Sequence, residues 1–179
     1  MSYVDDRFYA DLVRAFKDWD RSELEVKDSK TRDDCRALLE REARLLDHNR
    51  FEDWLALYAE KCIVWVPAAE TAGDPRREVA IFFDDRRRLE DRIFRLRTGK
   101  AWSQVPASRC VRQVTNVEVF RAGEKLMVRS NLLMTEFRAG ETRFIAAWCA
   151  HRLADGRIEA KQVNLIDRDQ SLRNPSILL

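Results

Sequence analysis

The last third of the chain most constrains its fold, because hydrophobicity there alternates with a period of two residues. Four alternating segments follow one another, at residues 109–121, 125–138, 142–153 and 157–167. They are separated by three short connections, Ala122-Gly123-Glu124, Ala139-Gly140-Glu141 and Asp155-Gly156. Glycine-containing connections of this length are typical of β-hairpins. The pattern therefore predicts an antiparallel meander of four long, strongly twisted strands.

The third of these strands is predominantly apolar on both faces. The side chains are Phe144, Ala146, Trp148 and Ala150 on one face, and Ile145, Ala147 and Cys149 on the other. A strand that is apolar on both faces is normally covered on both faces. We expect helices of this chain to cover one face and another protein surface to meet the other.

The N-terminal part shows a helical period instead. Residues 5–19 carry one apolar stripe and predict an amphipathic helix. The charged segment that follows lacks apolar periodicity and is interpreted as a linker. We therefore divide the chain into an N-terminal helical extension with its linker, residues 1–30, and a single domain, residues 31–179. The stripe has to pack either on this domain or on a neighbouring subunit, and the sequence leaves both open.

Further helices and two short strands are expected between the extension and the meander. A second helix should begin at Thr31 as its N-cap, and its apolar stripe is interrupted by Glu42. The remaining predictions are a short helix over 51–58, strands over 62–67 and 79–84, and a helix over 84–99.

Helices followed by a long antiparallel sheet indicate an α+β domain. The natural packing is a curved sheet wrapped around the N-terminal helices, which forms a cone with an interior pocket. The chain ends on an apolar segment, Ile177-Leu178-Leu179, after a charged stretch. We expect this tail to be tucked into a groove or an interface.

Charge and composition argue against several classes of protein. The chain has 33 Lys and Arg residues against 31 Asp and Glu residues, a formal net charge of +2, whereas nucleic-acid-binding proteins are usually more one-sided. Even the arginine-rich segment 84–97 contains acids and is interpreted as a solvated or interface helix. No apolar run approaches the ~20 residues of a membrane-spanning helix, and the N-terminus does not resemble a signal peptide. We therefore expect a cytoplasmic protein with reduced cysteines.

The sequence offers little support for a metal site. Cys149-Ala150-His151 matches half of a Rieske iron–sulfur motif, but no Cys or His follows it, and the cluster needs two of each. The second histidine, His48, lies on a different predicted element. Phosphate-binding glycine loops and a nucleophile elbow are absent from the sequence, and Cys110 is flanked by arginines, which are poor bases.

An acid–base pocket is the remaining chemical hypothesis. A cone with an apolar lining can catalyse a dehydration or an isomerisation if a histidine and a carboxylate meet inside it. His151, with Asp53 or Asp85, would be the candidates. The alternative is that His151 is a core residue satisfied by a hydrogen bond.

Residues 96–119 link the last helix to the meander and carry several conspicuous residues without evident chemistry. Trp102, Ser108, Arg109, Arg112 and Asn116 lie in this segment. They suggest positioning and docking rather than catalysis. Arg109 and Arg112 either brace the fold internally or contact another subunit.

Several segments, in order, resemble the small (β) subunits of Rieske-type aromatic-ring-hydroxylating dioxygenases. The resemblance covers about residues 38–179. It is carried by EREARLLDHNRFEDWLALYAEKCIVWVP, DDRRRLEDRIFRLRTGKAW, PASRCVRQVTNVEV, RIEAKQVNLID and the final NPSILL. It differs in two places: the helix at 5–19 lies outside the shared pattern, and AAWCAHRLADG stands where the family more often has a Gly-Arg-Arg-x-Asp run.

The resemblance implies a nuclear-transport-factor-2-like (cystatin-like) cone and a non-catalytic role. In this family the small subunit holds no cofactor or metal and has no catalytic residues. It trimerises and packs beneath three large (α) subunits in an α3β3 hexamer. The large subunits carry the Rieske 2Fe–2S cluster and the mononuclear non-haem iron, which insert O₂ into an arene to give a cis-dihydrodiol. A reductase and, in some systems, a ferredoxin supply electrons. The alternatives are a stand-alone dehydratase or isomerase and a scaffold that binds a small aromatic.

Overall fold

A single six-stranded sheet organises the protein, with strand order β2-β1-β6-β5-β4-β3. The computed structural model describes residues 4–69, 73–170 and 172–179. Its strands are β1 (Tyr58–Pro67), β2 (Ala80–Asp85), β3 (Arg109–Ala122), β4 (Lys125–Arg138), β5 (Glu141–Ala154) and β6 (Arg157–Leu165). Its helices are α1 (Asp6–Ala15), α2 (Ser29–Asp47), α3 (Phe51–Leu55) and α4 (Arg86–Arg97), with short 3-10 helices at Ser22–Leu24 and Trp102–Gln104. The predicted α+β class is confirmed.

The predicted meander is confirmed as β3 to β6, with ends within two residues of the expected ones. Adjacent strands pair antiparallel from β3 through β6. The turns between them place Ala139 and Gly140 at φ of 51° and 86°, and Asp155 and Gly156 at 50° and 71°. Two consecutive positive φ angles are typical of the tight hairpin turns that match the twist of the strands. Local turn chemistry therefore determines the register of the long strands.

The sheet is completed by β1, which runs parallel to β6 and antiparallel to β2. This strand begins at Tyr58, four residues before the predicted start, so α3 ends at Leu55 rather than at 58. Tyr58 lies opposite Ile158 of β6, and the Ile158 amide donates to the Leu57 carbonyl at 3.0 Å. Pairing with a distant strand therefore overrides the local helical period of this segment.

The inner face of the sheet packs against α2. Leu39, Leu45 and Leu46 of this helix are buried in one cluster with Val119 and Val128 of the sheet. The helix begins at Ser29, because Asp28 rather than Thr31 caps it. The Asp28 carboxylate accepts from the Thr31 amide at 2.8 Å and from the Thr31 hydroxyl at 2.6 Å. The predicted Thr31 cap was therefore wrong by one turn.

The outer face of the sheet is covered in part by α1. Leu12 is fully buried and packs with Ile63, Trp65 and Ala160 of the sheet. The helix stripe therefore packs on this chain's own sheet, the first of the two options that the sequence left open.

The segment between α1 and α2 is more ordered than a linker. Residues 22–24 form a 3-10 helix, and Glu25 forms an isolated β-bridge with Phe120. The amide of Val26, which is buried, donates to the Val119 carbonyl at 2.8 Å. The segment therefore attaches α1 to β3, whose other edge is paired with β4.

The apolar tail is tucked into the protein's own core. Ile177, Leu178 and Leu179 are only 3%, 8% and 3% exposed. The Arg92 guanidinium of α4 donates to the Pro175 carbonyl at 2.9 Å. The predicted burial of the tail is confirmed, and its site is a groove of the same chain.

The substitution Leu12→Ala tests whether α1 is an integral part of the domain. It removes a fully buried side chain and leaves a cavity against Ile63 and Trp65. We expect the free energy of unfolding to fall by about 2–4 kcal/mol, measured by urea denaturation. The control is Val79→Ala, because that side chain is 78% exposed. Equal effects of the two variants would show that α1 is not docked in solution.

Candidate functional site

A cluster of buried polar side chains lies between α2 and the inner face of the sheet. At its centre is Glu42 of α2, which is 3% exposed. One carboxylate oxygen accepts from the Lys161 ammonium at 2.9 Å, the Tyr58 hydroxyl at 2.5 Å and the Trp54 indole at 3.3 Å. The other oxygen lies 3.3 Å from Nε2 of His151. We call these five residues the Glu42 cluster.

Three separate parts of the fold bring the Glu42 cluster together. Glu42 occupies one position of the buried stripe of α2, while Trp54 and Tyr58 come from α3 and the start of β1. His151 and Lys161 are directly opposite each other on β5 and β6, so their side chains share the inner face. The acid that interrupts the apolar stripe was visible in the sequence. His151 and Lys161 were not recognisable as its partners, because they lie 109 and 119 residues away and meet Glu42 only when α2 packs on the sheet.

The electrostatics of the cluster favour an ionised Glu42. Burial alone raises the pKa of the Glu42 carboxyl, but the Lys161 charge and the hydrogen bonds from His151 and Tyr58 outweigh it and leave this pKa well below its ordinary value. Burial, and then the neighbouring Glu42 charge, raise the pKa of the Tyr58 hydroxyl well above 10. The cluster is therefore a buried ion pair between Glu42 and Lys161, with the neutral donors Trp54 and Tyr58 bound to the same carboxylate.

The interior has almost no room for a substrate. The cavity beside the cluster has a volume of about 10 Å³, and its lining includes Ser130, Cys149 and His151. A space of this size is comparable to one water molecule. His151 is 2% exposed, and burial first of all lowers its pKa below the ordinary value. The pocket expected inside the cone is therefore filled by the protein's own side chains.

The three candidates for acid–base catalysis do not form one site. His151 faces Glu42 inside the cone. Asp53 is exposed at α3, where it accepts from the Arg50 guanidinium at 2.8 Å. Asp85 caps α4 by accepting from the Arg88 amide at 3.0 Å. The geometry thus matches the alternative of a core histidine with a hydrogen-bond partner, and that partner is a carboxylate that the sequence did not single out.

The residues with metal-binding or nucleophilic side chains are also dispersed. His48 is an exposed residue that caps the C-terminus of α2, whereas Cys149 and His151 point into the core. Burial raises the pKa of the Cys149 thiol to about 12, and burial also raises the pKa of Cys110. Within residues 4–69, 73–170 and 172–179, no group of three or more His, Cys, Asp or Glu side chains is arranged to hold a metal ion.

An open cavity of about 230 Å³ lies at the mouth of the cone. Its apolar lining comes from the ends of α2 and α4 and from the tail, and includes Leu46, Leu96 and Leu178. Arg112 lines both this cavity and the small interior one. Of Arg109 and Arg112, only Arg112 points inward from β3.

Arg112 is an internal brace. Its side chain is 4% exposed and forms an ion pair with Asp47 at the end of α2. It also donates to the Leu178 carbonyl at 2.5 Å. Arg109, by contrast, is exposed and stacks on the Phe137 ring, with its guanidinium carbon 4.7 Å from the ring centroid. Of the two roles left open by the sequence, Arg112 has the bracing one.

A second buried polar group joins the Pro-x-Ser-Arg segment to the tail. The Ser108 hydroxyl donates to the Glu136 carboxylate at 2.5 Å, and the Asn174 amide donates to the same oxygen at 2.7 Å. Ser108, Glu136 and Asn174 are all buried. The segments PASRCVRQVTNVEV and NPSILL are therefore in contact through these side chains, which hold the tail against the start of β3.

Large apolar side chains are exposed on the outer face of the sheet beyond the reach of α1. Val111, Leu133, Phe144 and Ile166 are 62%, 42%, 72% and 74% exposed. The strand registers place them on one face of the sheet. Val111 and Phe144 both lie opposite Thr135 of β4, while Leu133 lies opposite Ala146, whose carbonyl accepts from the Ile166 amide just after β6. We call these four residues the outer patch. A contiguous apolar patch of this kind is characteristic of a protein–protein interface.

None of the helices among the described residues is long and apolar enough to cross a membrane.

Comparison with known proteins identifies a family to which the chain belongs. The model of the ring hydroxylating beta subunit family matches residues 41–175. The 2-halobenzoate 1,2-dioxygenase small subunit of Burkholderia cepacia is 37% identical over 97 residues, which are 51% of this chain and 59% of that protein. The small oxygenase component of the p-cumate 2,3-dioxygenase system of Pseudomonas putida is 31% identical over 133 residues, 72% of this chain and 74% of that protein.

A solved structure gives the same result. The β subunit of the benzoate 1,2-dioxygenase of Burkholderia mallei superposes with a TM-score of 0.62 at 27% identity. The superposition covers 78% of this chain and 94% of that one. The resemblance recognised from the sequence motifs is therefore confirmed, and so is the fold that it implied.

The two arginines of β3 should differ in their effect on stability. Arg112→Ala leaves the Asp47 carboxylate and the Leu178 carbonyl without their buried partner. We expect it to lower the free energy of unfolding by about 3 kcal/mol. Arg109→Ala removes an exposed cation–π contact and should cost less than about 1 kcal/mol. Urea denaturation measures both, and an Arg109→Ala effect as large as that of Arg112→Ala would contradict the assignment.

The buried histidine should make stability depend on pH. Since the folded-state pKa of His151 is lowered, the unfolded chain binds a proton at this residue at a higher pH than the folded protein does. The free energy of unfolding should therefore fall as the pH decreases through about 6.5, by at most about 1.4 kcal/mol per pH unit. His151→Gln should flatten this dependence between about pH 7.5 and pH 5.5. The control His48→Gln, at an exposed site, should keep it. Equal slopes for the wild type and His151→Gln would refute the prediction.

Proposed function

The chain belongs to the family of ring-hydroxylating β subunits, and we propose that it is the structural, non-catalytic subunit of an aromatic-ring-hydroxylating dioxygenase. In this proposal a large (α) subunit performs the chemistry. It inserts both atoms of O₂ into an arene and releases a cis-dihydrodiol, while the present chain holds the assembly together.

The observation that carries this proposal is the state of the interior. Lys161 and Nε2 of His151 contact the Glu42 carboxylate inside the cone, and the cavity beside them is about 10 Å³. Catalysis by His151 would need a substrate within hydrogen-bond reach of its ring. A closed, compensated cluster instead supports a role in stability. No catalytic residues, cofactor-binding residues or metal ligands are assigned to this chain.

The cofactors are assigned to the large subunit. A Rieske 2Fe–2S cluster needs two cysteine and two histidine ligands. Cys149 and His151 supply half of that set, on a buried strand, and the chain has no Cys or His after them. We therefore place both the Rieske cluster and the mononuclear non-haem iron on the partner.

The outer patch is assigned to contacts between copies of this chain. Its four side chains are apolar, so burying them against a different surface of a neighbouring copy, as a threefold ring requires, leaves no charge of the patch unpaired. Copies joined in this way form the trimer that packs beneath three large subunits in an α3β3 hexamer. A reductase, with or without a ferredoxin, acts on the assembled complex in the cytoplasm. Nucleic acid and membrane have no part in this role.

The start of the family match and the packing of α1 suggest how the chain is divided. We propose that residues 31–179 form the family domain and that residues 1–30 are an extension of this chain. The family match begins at residue 41, well after α1. The packing of Leu12 on the outer face supports a role for the extension in shielding that face of the sheet.

Purification of this chain alone, of the large subunit alone and of the two together tests the proposal. The chain alone should be colourless, free of iron and oligomeric, and should not turn over an arene. With the large subunit it should co-purify as a complex whose iron and Rieske visible spectrum belong to the partner. Iron analysis, size-exclusion chromatography with light scattering and product analysis are the measurements.

Two results would overturn the proposal. One is stoichiometric iron with a Rieske spectrum in this chain alone. The other is iron-independent dehydratase or isomerase activity of this chain that His151→Ala abolishes. Binding of a small aromatic without turnover, together with failure to bind any large subunit, would instead establish the scaffold alternative. The 230 Å³ cavity at the mouth of the cone would then be its site.

A further inference from the structure

A cleft lined by arginines opens on the surface between α4, the 3-10 helix at Trp102–Gln104 and the C-terminal tail. Its volume is about 610 Å³. Four guanidinium groups line it, from Arg92, Arg95, Arg138 and Arg173. Trp102 lines it as well, and no Asp or Glu of the described part of the chain does. We call it the arginine cleft.

Among the described residues, Arg92 is the one arginine of the four that forms an ion pair with a carboxylate. The Arg92 guanidinium donates to the Asp84 carboxylate at 2.6 Å and stacks on Phe82 at 4.1 Å, so it belongs to the framework of the fold. Arg95, Arg138 and Arg173 form no ion pair with any carboxylate among the described residues. Nε of Arg138 is also buried without a hydrogen-bond partner in the described part of the chain. The cleft therefore presents three guanidinium groups without a directly bound carboxylate among the described residues. The pKa of the nearby Glu141 carboxyl is lowered, mainly by Arg143 and also by Arg173 and Arg138, which shows that these charges are only partly compensated from a distance.

This concentration of charge is local rather than general. The whole chain carries a formal net charge of only +2. Other arginines of α4 are engaged within the chain: Arg86 pairs with Glu90, and Arg97 pairs with Glu52 across to α3. The helix therefore does not present a uniform basic stripe of the kind that follows a nucleic-acid backbone.

Trp102 gives the arginine cleft an anchoring side chain. Its indole is 84% exposed, the largest exposed fraction among the big apolar side chains of the described residues. Tryptophan and arginine are the residue types that most often dominate the binding energy of protein interfaces. An exposed indole beside unpaired guanidinium groups thus matches a protein partner.

We propose that the arginine cleft receives a carboxylate-bearing segment of the large subunit, with Trp102 packed against the same segment. The inference rests on the proposed function, because it names a contact surface for the partner assigned there. Arginine is suited to this task since its planar fork binds a carboxylate through two parallel hydrogen bonds. Arg173 of the cleft also lines a neighbouring cavity together with Phe144 of the outer patch, so the two surfaces adjoin.

The affinity of this chain for the purified large subunit tests the proposal. Arg173→Glu and Trp102→Ala change exposed side chains and should each weaken binding by about tenfold. Arg138→Glu should do the same, but its partly buried side chain requires a parallel measurement of the melting temperature. Arg121→Glu is the matched control, since this arginine is exposed on β3 and outside the cleft. It should bind within about twofold of wild type. The Arg173→Glu complex should also depend less steeply on salt than the wild-type complex.

The outcomes separate this inference from the proposed function. If the wild type binds and Arg173→Glu and Trp102→Ala bind equally well, the cleft assignment is overturned and the proposed function stands. If the wild type does not bind the large subunit, both fall. If the variants dissociate this chain's own oligomer but keep their affinity for the large subunit, the cleft is a contact between copies and the inference is wrong. It is also wrong if the wild type binds fluorescent oligothymidine through Arg173 while Arg173→Glu retains its affinity for the large subunit.

Discussion

The ionised carboxylate of Glu42 is the interaction on which the interior of this protein depends. It is surrounded by donors from α3, β1, β5 and β6, and Lys161 supplies the charge that keeps it ionised. Taking a carboxylate out of water costs several kcal/mol unless it is paired and hydrogen-bonded. Because every partner comes from a different element, the cost is offset only when α2 sits correctly on the sheet. The cluster thus favours a single arrangement of helix and sheet.

Further buried polar side chains join separate elements towards the open end of the cone. Arg112 joins the end of α2 to the tail through Asp47 and the Leu178 carbonyl. Glu136 joins the start of β3 to the tail through Ser108 and Asn174. Ser108 and Arg112 each form a contact that holds two elements together, so these two residues of the segment 96–119 are explained by architecture.

Local patterns were sufficient to predict most of the fold. The alternation of β3 to β6 and the glycine turns between them are short-range signals, and they placed the strand ends within two residues. The predictions failed where contacts with residues distant in sequence determine the local structure. The start of β1 at Tyr58 depends on β6, and the Glu42 cluster depends on the packing of α2 against β5 and β6, which lie more than a hundred residues away from Glu42. The roles of Arg109 and Arg112 differ because alternate residues of a strand face opposite sides, and only the packed structure shows which side is the inside.

The buried carboxylates of this protein are paired, whereas large apolar and basic groups lie exposed on its surface. An enzyme of this size normally leaves its unpaired polar groups in a pocket. In this chain the interior carboxylate is paired, whereas unpaired guanidinium groups, an exposed tryptophan and an apolar patch lie on the surface. Exposing such groups is unfavourable for an isolated protein, since the apolar ones attract other chains and the like charges repel. Association with further chains relieves both, so the distribution of unsatisfied groups itself favours a subunit whose stability is completed by assembly.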